Sequence, residues 1–384
     1  MDEFNYVSYA QEVIFGPGSL SRLSEAVNRF GWQRLMLVTN HSVREAGHVT
    51  MVEGMLGDCI VATFDQVHPH VPDVQVDGAL ALASERKVDA IIGMGGGSPI
   101  GMAKATAYKL EEVRAGRPVR VTNPMDQPLV PVIAIPTTYA GSEMTAVYGI
   151  THTRERPARK VTISDPKITP KLVIYDPYLT LDLPPEMTAS TDVNALAHCI
   201  EALYSMTRNP LSTAAAISGV QHISRALLRC YAQGRNLEAR TEMLLGSHLA
   251  GLSLASVSMG LHHGLCHVLG GTANVPHGIA NSIMLPHVMR FNAEAAAAQL
   301  VPAAEAMGLS VSGLSPVMVV EDAASRISDL VGQMNLPQRL REVGVMEADL
   351  PGIAQLAFQN RTVQNNPRPI TSAAQIEKIL RQAW

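Results

Sequence analysis

The texture of this 384-residue chain changes once, at the tripeptide Leu183, Pro184, Pro185. Before it, short apolar runs alternate with helical stretches. After it, from Met187 onward, nearly every segment reads as helix, rich in Ala, Leu and Met. RLMLVTN (residues 34–40), CIVATFDQV, VDAIIGMGGGSP and VPVIAIP read as buried strands. HSVREAGHVTMVEGML, VPDVQVDGALALASERK and GMAKATAYKL read as the helices between them. Regular strand–helix alternation needs crossovers, and so a parallel sheet covered on both faces. The expected fold is an α/β domain with a Rossmann-like parallel sheet over residues 1–184, then an all-helical domain over residues 185–384. A ligand site is expected in the cleft between them, because domain interfaces and sheet switch points form pockets.

Smaller features refine this. VIFGPGSL turns at Gly16-Pro17-Gly18, with Ser19 as a helix cap. The polar stretch 146–173, which carries Arg154, Arg156, Arg159 and Lys160, reads as a hairpin or excursion before the strand LVIYD. The alanine run 295–298 is helix-compatible. The length suffices for two domains with sizeable cores. A hydrophobic content of 47% against 17% charged residues fits a folded enzyme rather than a disordered chain. A net charge of -4 leaves no basic footprint for nucleic acid. No apolar run is long enough to span a membrane. MDEFNYVSYAQEV has acids and polars where a secretory signal needs an apolar core. Cys59, Cys199, Cys230 and Cys266 form no CxxC pair, as expected of a cytoplasmic protein with unpaired thiols.

GMGGGSPIGMAKA, from position 93, sits where a strand meets a helix. Gly95, Gly96 and Gly97 let backbone approach a pyrophosphate. Ser98 adds a hydroxyl donor, and the helix N-terminus adds amides. It is not GxGxxG, and such a cluster is otherwise a tight turn; its place after a strand favours phosphate binding. Thr137, Thr138 and Ser142 follow a strand end, where doubly wound sheets bind ligands; capping a helix is their simpler role.

SMGLHHGLCHVLGGTANVPHGIANSIMLPH, from position 258, holds His262, His263, His267, His277 and His287. His263 and His267 are four apart and share a helix face. Gly270-Gly271 is expected to break that helix, and Pro276-His277-Gly278 to begin another. This would aim His263, His267 and His277 at one point, to bind a metal or to bind an anion and pass protons. An isolated HxxxH is more often incidental. Upstream, however, Asn194 and His198 are also four apart on a helical stretch and can add to the same point. His262 is expected to face away from His263, and His287 to be structural.

This combination resembles the iron-containing alcohol dehydrogenase family, whose pattern is an Asp and a His four apart on one helix and two further metal-binding His. His198, His263 and His277 match the ligand histidines, and His267 matches the family's additional active-site histidine. The Asp position is Asn194, a neutral and poor ligand for a divalent transition metal. That departure points to the maleylacetate reductases, a branch that keeps the fold and works without a metal. PTTYAGSEMT, VIYDPYLTLDLP, NALAHCIEALYS, LHHGLCHVLGG and NPRPIT carry the likeness over nearly the whole chain. Gly101, often Asp in the family, is another match to the branch.

The resemblance implies the dehydroquinate synthase-like, iron-type alcohol dehydrogenase architecture and a homodimer. It implies a nicotinamide dinucleotide on the GGGS motif, with Thr137, Thr138, Ser142 and Lys160 nearby. Family members often carry Asp at position 40, which repels a 2′-phosphate; Asn40 weakens that repulsion, so NADH or NADPH is expected. The implied reaction is reduction of maleylacetate, a small dicarboxylate, to 3-oxoadipate in aromatic-compound breakdown. Asn194, His198, His263 and His277 would bind the carbonyl or a carboxylate, and His267 would deliver the proton. Arg368 in NPRPIT would grip a carboxylate or serve as a packing charge. PHGIANSIMLPHVMRFN resembles the metal-dependent members instead. This keeps a metal-dependent alcohol or hydroxy-acid dehydrogenase open, with His198, His263, His277 and Asn194 as ligands. A non-catalytic nucleotide-binding protein is the third reading.

Overall fold

The structure is a computed structural model that describes residues 4, 6–116, 128–154 and 159–384, with 159 and 160 described by backbone alone. The chain divides into two compact units, Val7–Leu183 and Pro184–Trp384, with Phe4 and Tyr6 grouped with the second.

The first unit carries the strands β1 (Glu12–Phe15), β2 (Leu35–Val38), β3 (Ile60–Phe64), β4 (Ala90–Gly95), β5 (Val132–Pro136), β6 (Val147–His152), β7 (Arg159–Ser164) and β8 (Leu172–Tyr175). Six of them form one sheet in the order β1-β8-β5-β4-β2-β3, parallel throughout. The expected Rossmann-like parallel sheet is present. β2, β4, β5 and β8 are buried at every residue, which is why they read as continuous apolar runs. Alternate residues feed two cores. Leu35, Leu37, Ile92, Met94, Ile133 and Ile135 pack on α1 (Leu23–Phe30) and on α3 (His48–Leu56), which follows the short α2 (His41–Glu45). Met36, Val38, Ile91 and Val132 pack on α4 (Asp73–Glu85) and α5 (Gly97–Ala115). A side chain of this size is worth about 1.5–3 kcal/mol when fully buried, so each strand is held on both faces. β6 and β7 form an antiparallel hairpin from Val147↔Ser164 to His152↔Arg159.

Two local expectations fail here. Residues 41–56 are two helices, because Gly47 takes a left-handed conformation (φ 82°) that ends the first. Ser19 is not a cap. Its Oγ donates to the Tyr175 carbonyl, and the Asp176 carboxylate accepts from Gly18 N and Leu20 N at 3.0 Å each.

Among the described residues, the second unit is helical: α6 (Pro185–Tyr204), α7 (Pro210–Ala232), α8 (Leu237–Ala255), α9 (Leu261–Ala273), α10 (His277–Ala306), α11 (Pro316–Gln333), α12 (Leu350–Phe358), α13 (Arg361–Gln364) and α14 (Ala373–Ala383). Pro185 opens α6 at the first helical position, where a missing N–H costs nothing. From Thr188 onward α6 is buried nearly all round, so it is the axis of this unit. The expected break at Gly270-Gly271 does not occur. α9 runs through both glycines and ends at Asn274, which is left-handed (φ 52°). Glycine in a helix costs only about 1 kcal/mol, which packing overrides, whereas Asn tolerates the left-handed turn. Among the described residues, no helix is long and apolar enough to cross a membrane.

Candidate functional site

In the first unit, β4 lies beside β2, although the chain reaches it from β3 at the sheet edge. After β4, strands are added in the opposite direction. The carboxyl ends of β2 and β4 therefore flank a topological switch point, where open α/β sheets bind ligands. Gly95 ends β4 at φ 138°, which favours glycine. Gly96 precedes α5; a Cβ there would stand 3.2 Å from Thr138 Oγ1. Gly97 begins the 19-residue helix α5, with Ser98 in its first turn. Thr137 N donates to the Gly95 carbonyl at 3.0 Å, carrying the β4–β5 pairing into the loop. Thr138 Oγ1 is buried with no hydrogen-bond partner among the described residues. The structure thus gathers Gly95, Gly96, Gly97, Ser98, Thr137 and Thr138 around a helix N-terminus. That set fits a dinucleotide phosphate, with backbone amides as donors and an unpaired hydroxyl beside them.

Asn40 stands not at a strand end but as the cap of α2. Its Oδ1 accepts from Val43 N at 3.2 Å and from Ser42 Oγ at 3.0 Å. The Lys160 side chain lies outside the described residues. Gly101 is buried within α5, where a Cβ would meet Val71 at 3.5 Å. Sequence reasoning missed Lys104, fully buried on α5. Its ammonium donates to the carbonyls of Ser142 (2.5 Å), Thr145 (2.7 Å) and Val147 (3.1 Å), so it anchors the loop that carries Ser142. Burial pulls its pKa down to about 7, opposed by Glu143. A lysine amid the apolar residues of GMAKATA was the available signal.

In the second unit, α6 presents Asn194, His198 and Glu201 at i, i+4 and i+7, on one face. His263 and His267 come from α9, and His277 is the first residue of α10. The four imidazoles cluster around His263. His198 stacks on it with ring centroids 4.7 Å apart, while His277 is 6.0 Å and His267 6.5 Å away. His267 and His277 stack at 5.4 Å. His198 and His263 are buried, and the other two are half-buried. Burial, then the neighbouring imidazoles, holds His198 and His263 well below the ordinary histidine pKa.

Glycines allow this convergence. A Cβ at Gly264 would meet Val363 Cγ2 at 2.5 Å, and one at Gly278 would meet the Ser190 carbonyl at 2.8 Å. His262 is buried against Asn281, whose Oδ1 lies 2.7 Å from its Nε2. Asn281 Nδ2 in turn donates to the His277 carbonyl at 2.7 Å, joining α9 to the start of α10.

Sequence reasoning also missed Glu201, fully buried. Its Oε1 accepts from Gly260 N (2.9 Å) and His262 N (3.1 Å); its Oε2 accepts from His263 N (3.2 Å) and meets His263 Nδ1. Burial pushes its carboxyl up, opposed by His262 and the three backbone donors. The signal was an acid one heptad after Asn194, set among the apolar residues of CIEALY. Asn194 Oδ1, His198 Nδ1 and His263 Nε2 are buried with no hydrogen-bond partner among the described residues. Each such atom costs about 1–3 kcal/mol, which a ligand pairing with it recovers.

Other candidates are placed elsewhere. Arg368 lies over the Phe291 ring (4.4 Å), donates to the Phe291 carbonyl (2.8 Å) and pairs with Glu294 (3.0 Å), so its described side-chain partners are on α10 rather than among the histidines. His287 is on α10, pulled down to about 4 by burial and then by Arg290 and Arg339. Cys199, Cys230 and Cys266 are buried and Cys59 is half-buried, all free thiols. The cluster offers an amide, a poor ligand for a divalent transition metal, where the family places a carboxylate.

Residues 10–177 match the family described as iron-containing alcohol dehydrogenase, and residues 188–384 match the C-terminal part of the Fe-containing alcohol dehydrogenase family. Maleylacetate reductase 1 of Cupriavidus pinatubonensis is 35% identical, over 100% of this chain and 98% of its own. The solved maleylacetate reductase from Agrobacterium tumefaciens is 31% identical with a TM-score of 0.84, covering 100% of this chain and 99% of that one. A solved 1,3-propanediol oxidoreductase is 33% identical with a TM-score of 0.91, covering 100% of both chains. With both units matched and full-length relatives above 30% identity, this chain belongs to the iron-containing alcohol dehydrogenase family, on its maleylacetate reductase branch.

Proposed function

We propose that this protein is an NAD(P)H-dependent reductase that converts maleylacetate to 3-oxoadipate without a metal. The observation that carries the reading is Asn194 in the position of the family carboxylate, buried one helical turn before His198 with its oxygen unpaired among the described residues. Full-length relatives named maleylacetate reductase support the same substrate. Gly95, Gly96, Gly97, Ser98, Thr137, Thr138 and Ser142 would hold the dinucleotide, with Asn40 and Lys160 nearby. When bound, a reduced nicotinamide supplies a hydride to the alkene carbon β to the ketone. The electrons released onto the ketone oxygen make an enolate, and a proton added to the neighbouring carbon completes the reduction.

The chain must therefore bind a dianion, stabilise an oxyanion and deliver one proton. His198, His263, His277 and the Asn194 amide are the binding groups. A dianion in their midst offsets the burial that keeps His198 and His263 neutral. His267 is the proton donor in this scheme, because its partial exposure lets it re-equilibrate with water. A conjugated enone is already activated, so the Lewis acid that an alcohol dehydrogenase uses is dispensable. The three retained histidines, and the likeness to a 1,3-propanediol oxidoreductase, favour metal-dependent alcohol oxidation as the second reading.

NADH and NADPH oxidation with freshly made maleylacetate, on protein assayed for bound metal, separates the two. Turnover unchanged by chelation is the expected result. A stoichiometric metal with no maleylacetate turnover would overturn the proposal and move the search to alcohols.

A further inference from the structure

Four nitrogens, three of them backbone N–H groups, lie around the two oxygens of Glu201. Two backbone N–H groups meet Oε1; one backbone N–H and the His263 ring meet Oε2. An ionised carboxylate accepts about four hydrogen bonds and donates none. With Glu201 ionised, all four contacts are satisfied together only when His263 carries hydrogen on Nδ1. A protonated Glu201 would instead donate from Oε2 to a bare Nδ1 and leave the ring hydrogen on Nε2, the opposite tautomer. The three backbone N–H groups also fix the carboxylate itself. Gly260, beside it, cannot bear a side chain, because a Cβ would stand 2.6 Å from the Asn365 carbonyl and 3.3 Å from Glu201 Oε1. The bare edge of His263, Nε2, is the buried atom without a partner, in a ring that touches His198, His277 and His267.

We propose that Glu201 is a positioning residue: it holds the hydrogen of His263 on Nδ1, so that Nε2 is the ring atom offered to substrate. The proposal rests on the reductase reading for its catalytic consequence, but not for the tautomer. A proton passed between His263 and substrate then moves at Nε2, the ring nitrogen with no partner among the described residues. Orienting carboxylates of this kind act through the imidazole they hold, without touching substrate.

The first test leaves Glu201 unaltered. The full chain is labelled with 15N-histidine and its imidazole nitrogens are read by long-range proton–nitrogen correlation at neutral pH, with His263 assigned by the signals missing from His263→Gln. Hydrogen on Nδ1 is the expected result; hydrogen on Nε2 with a bare Nδ1 overturns the proposal. The second test is a cycle. Glu201→Gln has one acceptor oxygen instead of two and should lower kcat on the order of 10²-fold, with KM for nucleotide and maleylacetate changed less than about threefold. In a His263→Ala background, the same change should cost less than about threefold more. Losses that multiply instead would make Glu201 a structural residue and overturn the proposal. Should Glu201→Gln fail to fold, the wild-type spectrum decides alone. Should the wild type fail to reduce maleylacetate, the substrate reading falls while the spectrum still decides the tautomer.

Discussion

The glycine turn at β4 and the histidine cluster around α6 are built on opposite principles. The first is made of backbone. Its conformation at Gly95, its close approach at Gly96 and its amide donors at the start of α5 come from one contiguous stretch. The second is made of side chains drawn from three helices and three sequence regions, and its central imidazole, His263, meets the buried carboxylate of Glu201. A backbone site tolerates side-chain change wherever no Cβ intrudes. A side-chain site depends on residues well outside the ones that do the chemistry.

The sharpest way to break this contrast is His263→Ala. We expect kcat to fall by about 10²–10⁴, with the nucleotide Kd from fluorescence titration unmoved; a parallel loss of nucleotide affinity would mean the two sites are not separable. Gly96→Val should do the reverse. Its Cβ presses on Thr138, so the nucleotide Kd should rise about tenfold or more, as overpacking costs about 1–3 kcal/mol. An unchanged Kd would remove Gly96 from the nucleotide site.

Gly264→Ala probes the dependence on remote packing. The added methyl meets Val363, including its backbone N at 3.0 Å. Chemical denaturation should show a loss of about 1–3 kcal/mol, and kcat should fall with it because His263 is the adjacent residue.

A pH series sharpens the comparison further. Burial holds His287 and His248 at about 4, below the ordinary histidine value near 6.5. As pH falls, the unfolded chain takes up these protons first. Stability is therefore full above about 6.5, declines through the window down to about 4, and levels off below it. In His287→Gln, the fall in Tm between about pH 7 and about pH 5 should be smaller than in the wild type; an unchanged fall would mean His287 titrates normally in the folded chain.

The smallest effect is expected at Arg368. Loss of its contact with Phe291 and its pair with Glu294 in Arg368→Ala should cost about 1 kcal/mol of stability. KM for maleylacetate should stay unchanged; a large rise would return Arg368 to the substrate.

The sequence by itself determined the fold class and the family. Buried parallel strands must be apolar at every position, and helices must repeat near 3.6, so both are written in local pattern. It also marked the glycine turn, because positive φ and close approach demand glycine wherever they occur. It misplaced the end of α9, since two glycines weaken a helix less than packing strengthens it, and it joined α2 to α3 across Gly47. Only the tertiary structure decided which polar residues serve the site. Glu201 and Arg368 are equally charged letters in a sequence. One accepts from three backbone N–H groups beside His263 and the other lies over Phe291, because burial and hydrogen-bond partners are set by the helices a residue meets, not by its neighbours in the chain.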